Sequence, residues 1–266
     1  MKFIAASILA LATGTSAFAP ANQGRVMSTL QMSDAAPANP GYAVFPDDTA
    51  PMVDLKSLSE ELNPVVGYFD PLKLAQADFY NMGQDATVGF LRHAEIKHGR
   101  VAMAAFVGYC VQSNFHFPWA MSLDGSDFPS IDLAPEAQWD AIPANAKWQI
   151  LAVIGALELW DEASGRSGAE PHYMNGRTPG KYPSFDLFRD NVHWVLDLYD
   201  PFGFSKKTSQ EVKDRRLVIE INNGRAAMLG IFGFICADTV EGSVPLLNGI
   251  AIPYSGQVMS PFEAGY

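Results

Sequence analysis

The sequence predicts an all-α membrane protein with three transmembrane helices. The first and third cross as a pseudo-twofold pair, and the middle helix has no repeat partner. Three observations carry this. Apolar segments stand out at about 88–112, 146–160 and 217–237, and the first and third reach the roughly twenty residues a bilayer-crossing helix needs. The connections between them alternate in charge. The first and third segments also repeat one charged motif, EIKHGR at 95–100 and EINNGR at 220–225, each at the mouth of an apolar run.

The N-terminus reads as an address. Lys2 precedes the apolar FIAASILALA, and the small residues of TSA suit cleavage before Phe18, giving a signal peptide over 1–17. Residues 18–32 contain Arg25 and hydroxyl residues but no acid, the composition of a transit segment. The junction SAFAP resembles the Ala-Phe-Ala-Pro junction of plastid-targeting presequences in diatoms and related algae. A single domain is expected over 33–266.

Composition narrows the function. The 266-residue chain carries a net charge of −11 with 48% apolar residues, which excludes the basic face of a nucleic-acid binder. Glycine-rich phosphate loops and zinc-type cysteine clusters are missing from the sequence. Cys110 and Cys236 lie in apolar runs and read as buried thiols rather than a disulfide. The sequence presents no nucleophile or acid–base cluster, so no enzyme is expected.

The first helix, 88–112, is followed by a connection, 113–146, without Lys or Arg but with Asp124, Asp127, Asp132, Glu136 and Asp140. The second, KWQILAVIGALELW, is short enough to be a buried helix in another setting. After it, 164–216 carries nine basic residues, and the tail beyond Ala237 has none. This alternation follows the positive-inside rule for three crossings. DLFRDNVHWVLDLY (186–199) suggests a short amphipathic surface helix, and the long connection around it a docking surface. Trp119, Trp139, Trp148, Trp160 and Trp194 fit an interfacial aromatic belt.

The repeat extends beyond the charged helices. GYFDPLKLA (67–75) precedes the first and DLYDPFGFS (197–205) the second. At about 100° per residue, Glu95 and Arg100 stand about 140° apart and cannot form the usual i,i+4 pair. Glu220 and Arg225 are spaced identically. If the helices pack face to face, Glu95 reaches Arg225 and Glu220 reaches Arg100, which avoids unpaired charge in lipid. Gly99, Ala104, Gly108, Gly224, Ala226, Gly230 and Gly233 permit the approach, with small-xxx-small spacing at Ala104/Gly108 and Ala226/Gly230.

Pairing leaves His98 and Asn223 unexplained, because lipid cannot satisfy them. Magnesium in a planar macrocycle has an open axial position for one hard O or N ligand. Imidazole, an amide oxygen and an Arg-paired carboxylate all qualify, and their dispersal argues for several separate sites rather than one zinc-type cluster. His93, His116, His172 and His193 have no repeat partner and read as packing residues.

ExxHGRxAM in the first segment and ExxNGRxAMLG in the third closely resemble the paired helices of the light-harvesting chlorophyll-binding family. Asp70-Pro71 and Asp200-Pro201 resemble that family's two carotenoid-cradling loops, and GALE, ending in Glu158, its middle helix. With SAFAP, the likeness is to the chlorophyll a/c, fucoxanthin-type antenna. The resemblance implies Glu95, His98, Glu220 and Asn223 as axial ligands of chlorophyll magnesium, with Arg100 and Arg225 as cross-pairing partners. Glu158 would hold a chlorophyll on the middle helix, and Gln149, a polar amide in an apolar run, a further one. It implies chlorophyll a, chlorophyll c, fucoxanthin and diadinoxanthin-type carotenoids as cofactors. Implied partners are a photosystem core, neighbouring antenna subunits and thylakoid lipids. Two departures stand out. Ala237 occupies a position where the family often has glutamine, leaving water or Asp238 to hold that chlorophyll, and Lys73-Leu74 replaces the usual Gly-Leu of the first loop. A photoprotective, energy-dissipating member is the alternative within the family. A small ion or proton transporter is the remote one, since intramembrane ionisable residues often mark an ion path.

Overall fold

The computed structural model describes residues 50–163, 171–192, 202, 207–258 and 260–262. The signal and transit segments, Asp200, Pro201, His193 and Trp194 lie outside the described residues. Six α-helices are present among those described: α1 (Ala50–Leu62), α2 (Gln84–Gln112), α3 (Pro135–Ala141), α4 (Ala144–Ala163), α5 (Asp186–Asn191) and α6 (Gln210–Thr239). The three expected helices are thus α2, α4 and α6, each longer than its apolar segment. α5 covers the start of the expected amphipathic helix, and α1 and α3 are additional.

The chain folds as two compact units. In the first, residues 50–100 and 155–224, α2 and α6 approach at Gly99 and Gly224. A Cβ added to Gly99 would stand 3.0 Å from Cα of Gly224, and one on Gly224 2.9 Å from Cα of Gly99. These two glycines hold equivalent positions in the repeated motifs, Gly99 in EIKHGR and Gly224 in EINNGR. Beside this crossing, Leu62, Ile96 and Ile221 form the core, with Leu58, Leu217 and Val218 packed against them. Asn222 Nδ2 donates to the Leu62 carbonyl at 3.0 Å, giving a partner to one of the orphan carbonyls at the end of α1.

A segment of the long connection is seated along α2. A Cβ on Gly89 would lie 2.7 Å from the Tyr173 carbonyl oxygen, and one on Gly180 2.7 Å from Ile96 Cγ2. Gly180 also has φ +78°, which glycine adopts without a Cβ penalty. Tyr173, Arg177 and Phe185 are buried, so this part of the expected docking surface is packed against the protein's own helices.

In the second unit, residues 101–154 and 225 onward, Phe106 and Tyr109 of α2 stack on Phe234 of α6 with centroids at 5.0 and 4.6 Å. The Phe106 ring occupies the space a side chain on Gly230 would need. Gly108 and Gly233 have nothing within 4 Å of an added Cβ, and Ala104 and Ala226 are exposed. The expected small-residue approach is therefore realised at Gly99, Gly224 and Gly230 alone. α3 is tied down by Gln112 Nε2 donating to the Pro135 carbonyl and Gln138 Nε2 to the Gln112 carbonyl. The C-terminal segment returns: Tyr254 N donates to the Asp238 carbonyl and its hydroxyl to Asp140.

Among the described residues, no helix is long and apolar enough to cross a membrane. The expectation of lipid-length apolar runs fails because charge interrupts them. The uncharged stretches are Val101–Gln112, Trp148–Leu157 and Ala226–Ala237, each well under twenty residues.

Candidate functional site

Asp70 closes the loop before α2. Its carboxylate accepts from the backbone N–H of Leu74 at 2.9 Å and Ala75 at 3.0 Å and from the Tyr68 hydroxyl at 3.1 Å. The slight burial of Asp70 opposes ionisation, but these donors outweigh it and lower the pKa. Pro71 follows in the exposed turn. Lys73 sits at φ 54°, ψ 38°, a left-handed conformation that burdens any residue with a Cβ. This accounts physically for glycine being usual there.

Along α2, His98 lies on the exposed face. Its Nδ1 is 2.7 Å from the Ala94 carbonyl oxygen, which can only accept. Nδ1 therefore carries a proton, and in the neutral ring Nε2 then holds the lone pair, the tautomer and orientation a metal ligand requires. Two residues on, Arg100 Nε donates to Glu220 Oε1 of α6 at 2.5 Å, and its Nη1 to the Gly180 carbonyl at 2.6 Å. The predicted Arg100–Glu220 cross-pair is thus present. Glu95 and Arg225, the other predicted pair, are each half-buried, while Asn223 is exposed on α6. Gln149 and Glu158 are exposed on α4.

Sequence reasoning missed a buried polar cluster beneath Glu158. Asp161, fully buried, accepts from His93 Nε2 at 2.9 Å, from Lys97 Nζ at 2.9 Å and from Arg177 Nη2 at 2.5 Å. Lys97 also donates to Glu158 Oε2. The Gly180 N–H donates to His93 Nδ1 at 3.1 Å, so His93 is neutral with its proton on Nε2. Both ring nitrogens are engaged, and the ring stacks on Tyr173 at 4.0 Å. The available signal was spacing: His93 and Lys97 are i,i+4 on one helix, and Glu158 and Asp161 i,i+3 on another. Arg177, from an irregular loop, had none.

Asp238, a candidate stand-in for a ligand near Ala237, is 3% exposed and accepts from the Tyr109 hydroxyl. It points into the second unit and is unavailable as an outward ligand.

The chemistry available is therefore a set of single N or O donors, exposed at His98, Asn223, Gln149 and Glu158 and half-buried at Glu95 and Glu220, on helices that also expose large apolar side chains. Val101 and Val107 on α2, Val153 and Leu159 on α4, and Leu229 and Phe232 on α6 are all exposed. Among the described residues, no group of three or more His, Cys, Asp or Glu could hold a metal ion alone. The donors suit a metal that brings its other ligands with it.

Comparison with known proteins places the chain in a family. A family model described as chlorophyll A-B binding protein matches residues 54–239. A chloroplastic fucoxanthin-chlorophyll a-c binding protein of Trieres chinensis is 30% identical over 256 residues, 93% of this chain and 99% of its own. Fucoxanthin-chlorophyll a-c binding protein F of Phaeodactylum tricornutum is 33% identical over 65% of this chain and 74% of its own. Protein A of that name from Macrocystis pyrifera is 32% identical over 70% of this chain and 73% of its own.

Proposed function

The chain belongs to the chlorophyll a/b-binding protein family, and we propose that it is a light-harvesting antenna of the plastid thylakoid membrane. It binds chlorophyll a, chlorophyll c, fucoxanthin and related carotenoids and passes excitation energy to a photosystem core, directly or through neighbouring antenna subunits. The observation that carries this reading is His98: an exposed imidazole on an apolar helix face, with its proton committed to Ala94.

His98, Glu95, Glu220, Asn223, Glu158 and Gln149 each offer one axial donor to a chlorophyll magnesium, and the apolar side chains beside them cover the macrocycle faces. Arg100 neutralises Glu220, and the repeat assigns Arg225 the same task for Glu95. Asp70-Pro71 shapes one carotenoid seat, and the sequence repeat assigns the other to Asp200-Pro201, outside the described residues. Bound pigments supply absorption and energy transfer, while the protein fixes their separation, orientation and surroundings.

The same charges bear on membrane insertion. α2, at 29 residues, is about 43 Å long at 1.5 Å per residue, more than a hydrocarbon core of about 30 Å. Its uncharged stretch is short, but Lys97 and Arg100 are both paired, which removes much of the cost of charge in lipid. We therefore read α2, α4 and α6 as three crossings in contact with thylakoid lipids.

The test is the absorption and fluorescence-excitation spectrum of the native purified protein. Chlorophyll and carotenoid bands with carotenoid-to-chlorophyll transfer are expected; a colourless folded preparation overturns the proposal. A short fluorescence lifetime in the isolated protein would assign the energy-dissipating role instead. His98→Leu should lose about one chlorophyll per chain while the helical fold survives.

A further inference from the structure

We propose that Lys97 of α2 is the charge partner that lets Glu158 of α4 serve as a magnesium ligand; this rests on the pigment-binding reading above. A chlorophyll is neutral once its macrocycle balances the metal, so a lone carboxylate ligand would leave one negative charge against the apolar surroundings. The cross-pair answers this at Glu220 with Arg100. Among the described residues, the ion pair of Glu158 is made with a lysine, Lys97, rather than with an arginine.

The cluster around Asp161 shows what takes that place. Lys97 Nζ touches both Glu158 Oε2 and Asp161 Oδ2. Asp161, at 0% side-chain exposure, already has Arg177 on its other oxygen and the neutral His93 N–H. Two cations, Lys97 and Arg177, face two carboxylates, Glu158 and Asp161. With Arg177 matched to Asp161, the charge of Lys97 is the one matched to Glu158. Burial differs in the sense a ligand needs: the Lys97 side chain is 21% exposed and that of Glu158 52%. The ammonium is anchored inward by Asp161, while the carboxylate sits on the outer face with Oε2 engaged and Oε1 left as the donor. An isolated surface ion pair at that exposure would contribute little; here one partner is pinned by a buried carboxylate, so the geometry is held. Lys97 is accordingly a positioning and neutralising residue and does not touch the metal.

The experiment compares pigment content and the red absorption band of full-length protein carrying chlorophyll and carotenoid. The variants are Lys97→Met, Lys97→Arg, Glu158→Gln, the double variant Lys97→Met with Glu158→Gln, and Glu158→Leu. Lys97→Met should lose about one chlorophyll and its component of the band, and Lys97→Arg should keep both. Glu158→Gln should retain the pigment, and in the double variant the loss should be reversed, because an amide oxygen needs no cation. This rescue separates neutralisation from folding, since removing a second partner cannot repair a merely structural defect. Full pigment in Lys97→Met, or a double variant as depleted as the single one, overturns the proposal. Full pigment in Glu158→Leu overturns the ligand assignment itself, which identifies the premise rather than the role of Lys97 as the error.

Discussion

Among the described residues each unit buries one aspartate, and the two are balanced by different means. Asp161 is met by Lys97, Arg177 and the His93 N–H. Asp238 takes the Tyr109 hydroxyl and faces the carboxyl of Glu136. Among the described residues no ion pair reaches either Asp238 or Glu136. The sequence around them supplies little cation: 113–146 and everything after 237 lack Lys and Arg. Lys147, the nearest basic residue in sequence to that acidic connection, gives its ammonium to the Asp140 carbonyl. Burial pushes the Glu136 carboxyl up to about 7, and the Asp238 and Asp140 carboxylates add to the rise. One unit thus meets its buried carboxylate with fixed cations, while in the other burial favours the protonated form of Glu136. The two answers respond oppositely to mutation and to pH.

The largest effect is expected in the cation-balanced unit. Asp161→Asn leaves Lys97 and Arg177 with one carboxylate between them and should destabilise the protein by about 3 kcal/mol. Urea unfolding of the pigmented protein followed by circular dichroism measures it, and a loss below about 0.5 kcal/mol would show the cluster to be solvated. Gly180→Ala comes next. Its Cβ meets Ile96 Cγ2 at 2.7 Å and its φ is +78°, so a loss of about 2 kcal/mol is expected. Proteolysis near 173–183 should accelerate with it; unchanged protection would mean that the loop does not depend on Gly180 for its seat.

The smallest effect, and the one of opposite sign, lies in the proton-balanced unit. The Glu136 pKa in the folded protein stands above its ordinary value near 4.5. Its protonated form therefore favours folding: the contribution is complete below about 4.5 and is lost as pH rises through about 7. Glu136→Gln keeps a neutral side chain at every pH. It should flatten the decline in melting temperature between pH 5 and pH 8 and stabilise at pH 8 by no more than about 1 kcal/mol, partial exposure being allowed for. Melts across that range decide it. If Glu136→Gln destabilises as Asp161→Asn does, the contrast between the units fails.

Much of the site was legible before the fold was known. Helical angles excluded pairing within each helix and, given face-to-face packing, matched Glu220 with Arg100, and Gly99 and Gly224 were among the seven small residues expected at the approach. Lys73 was visible as a departure from glycine, and its positive φ supplies the reason. The small-xxx-small pattern said less than it promised, because spacing defines a face without saying what meets it: Gly108 is open while Gly230 is covered by Phe106. The Asp161 cluster was hidden for a related reason. Each helix displays its pair, but only topology brings His93 and Lys97 to Asp161, and Arg177 and Gly180 come from a connection without periodicity. α1 was missed because its anchoring rests on few residues, Leu58, Leu62 and a carbonyl held by Asn222.

The contact between Gly99 and Gly224 has a genetic consequence. Most crowded positions have a remedy, since a neighbour can shrink to accommodate a larger side chain. Here each residue is the other's obstacle, through backbone atoms, and both are already the smallest the code provides. A substitution at one has no second-site suppressor at the other, so the two codons are bound as a pair with no neutral path away from glycine.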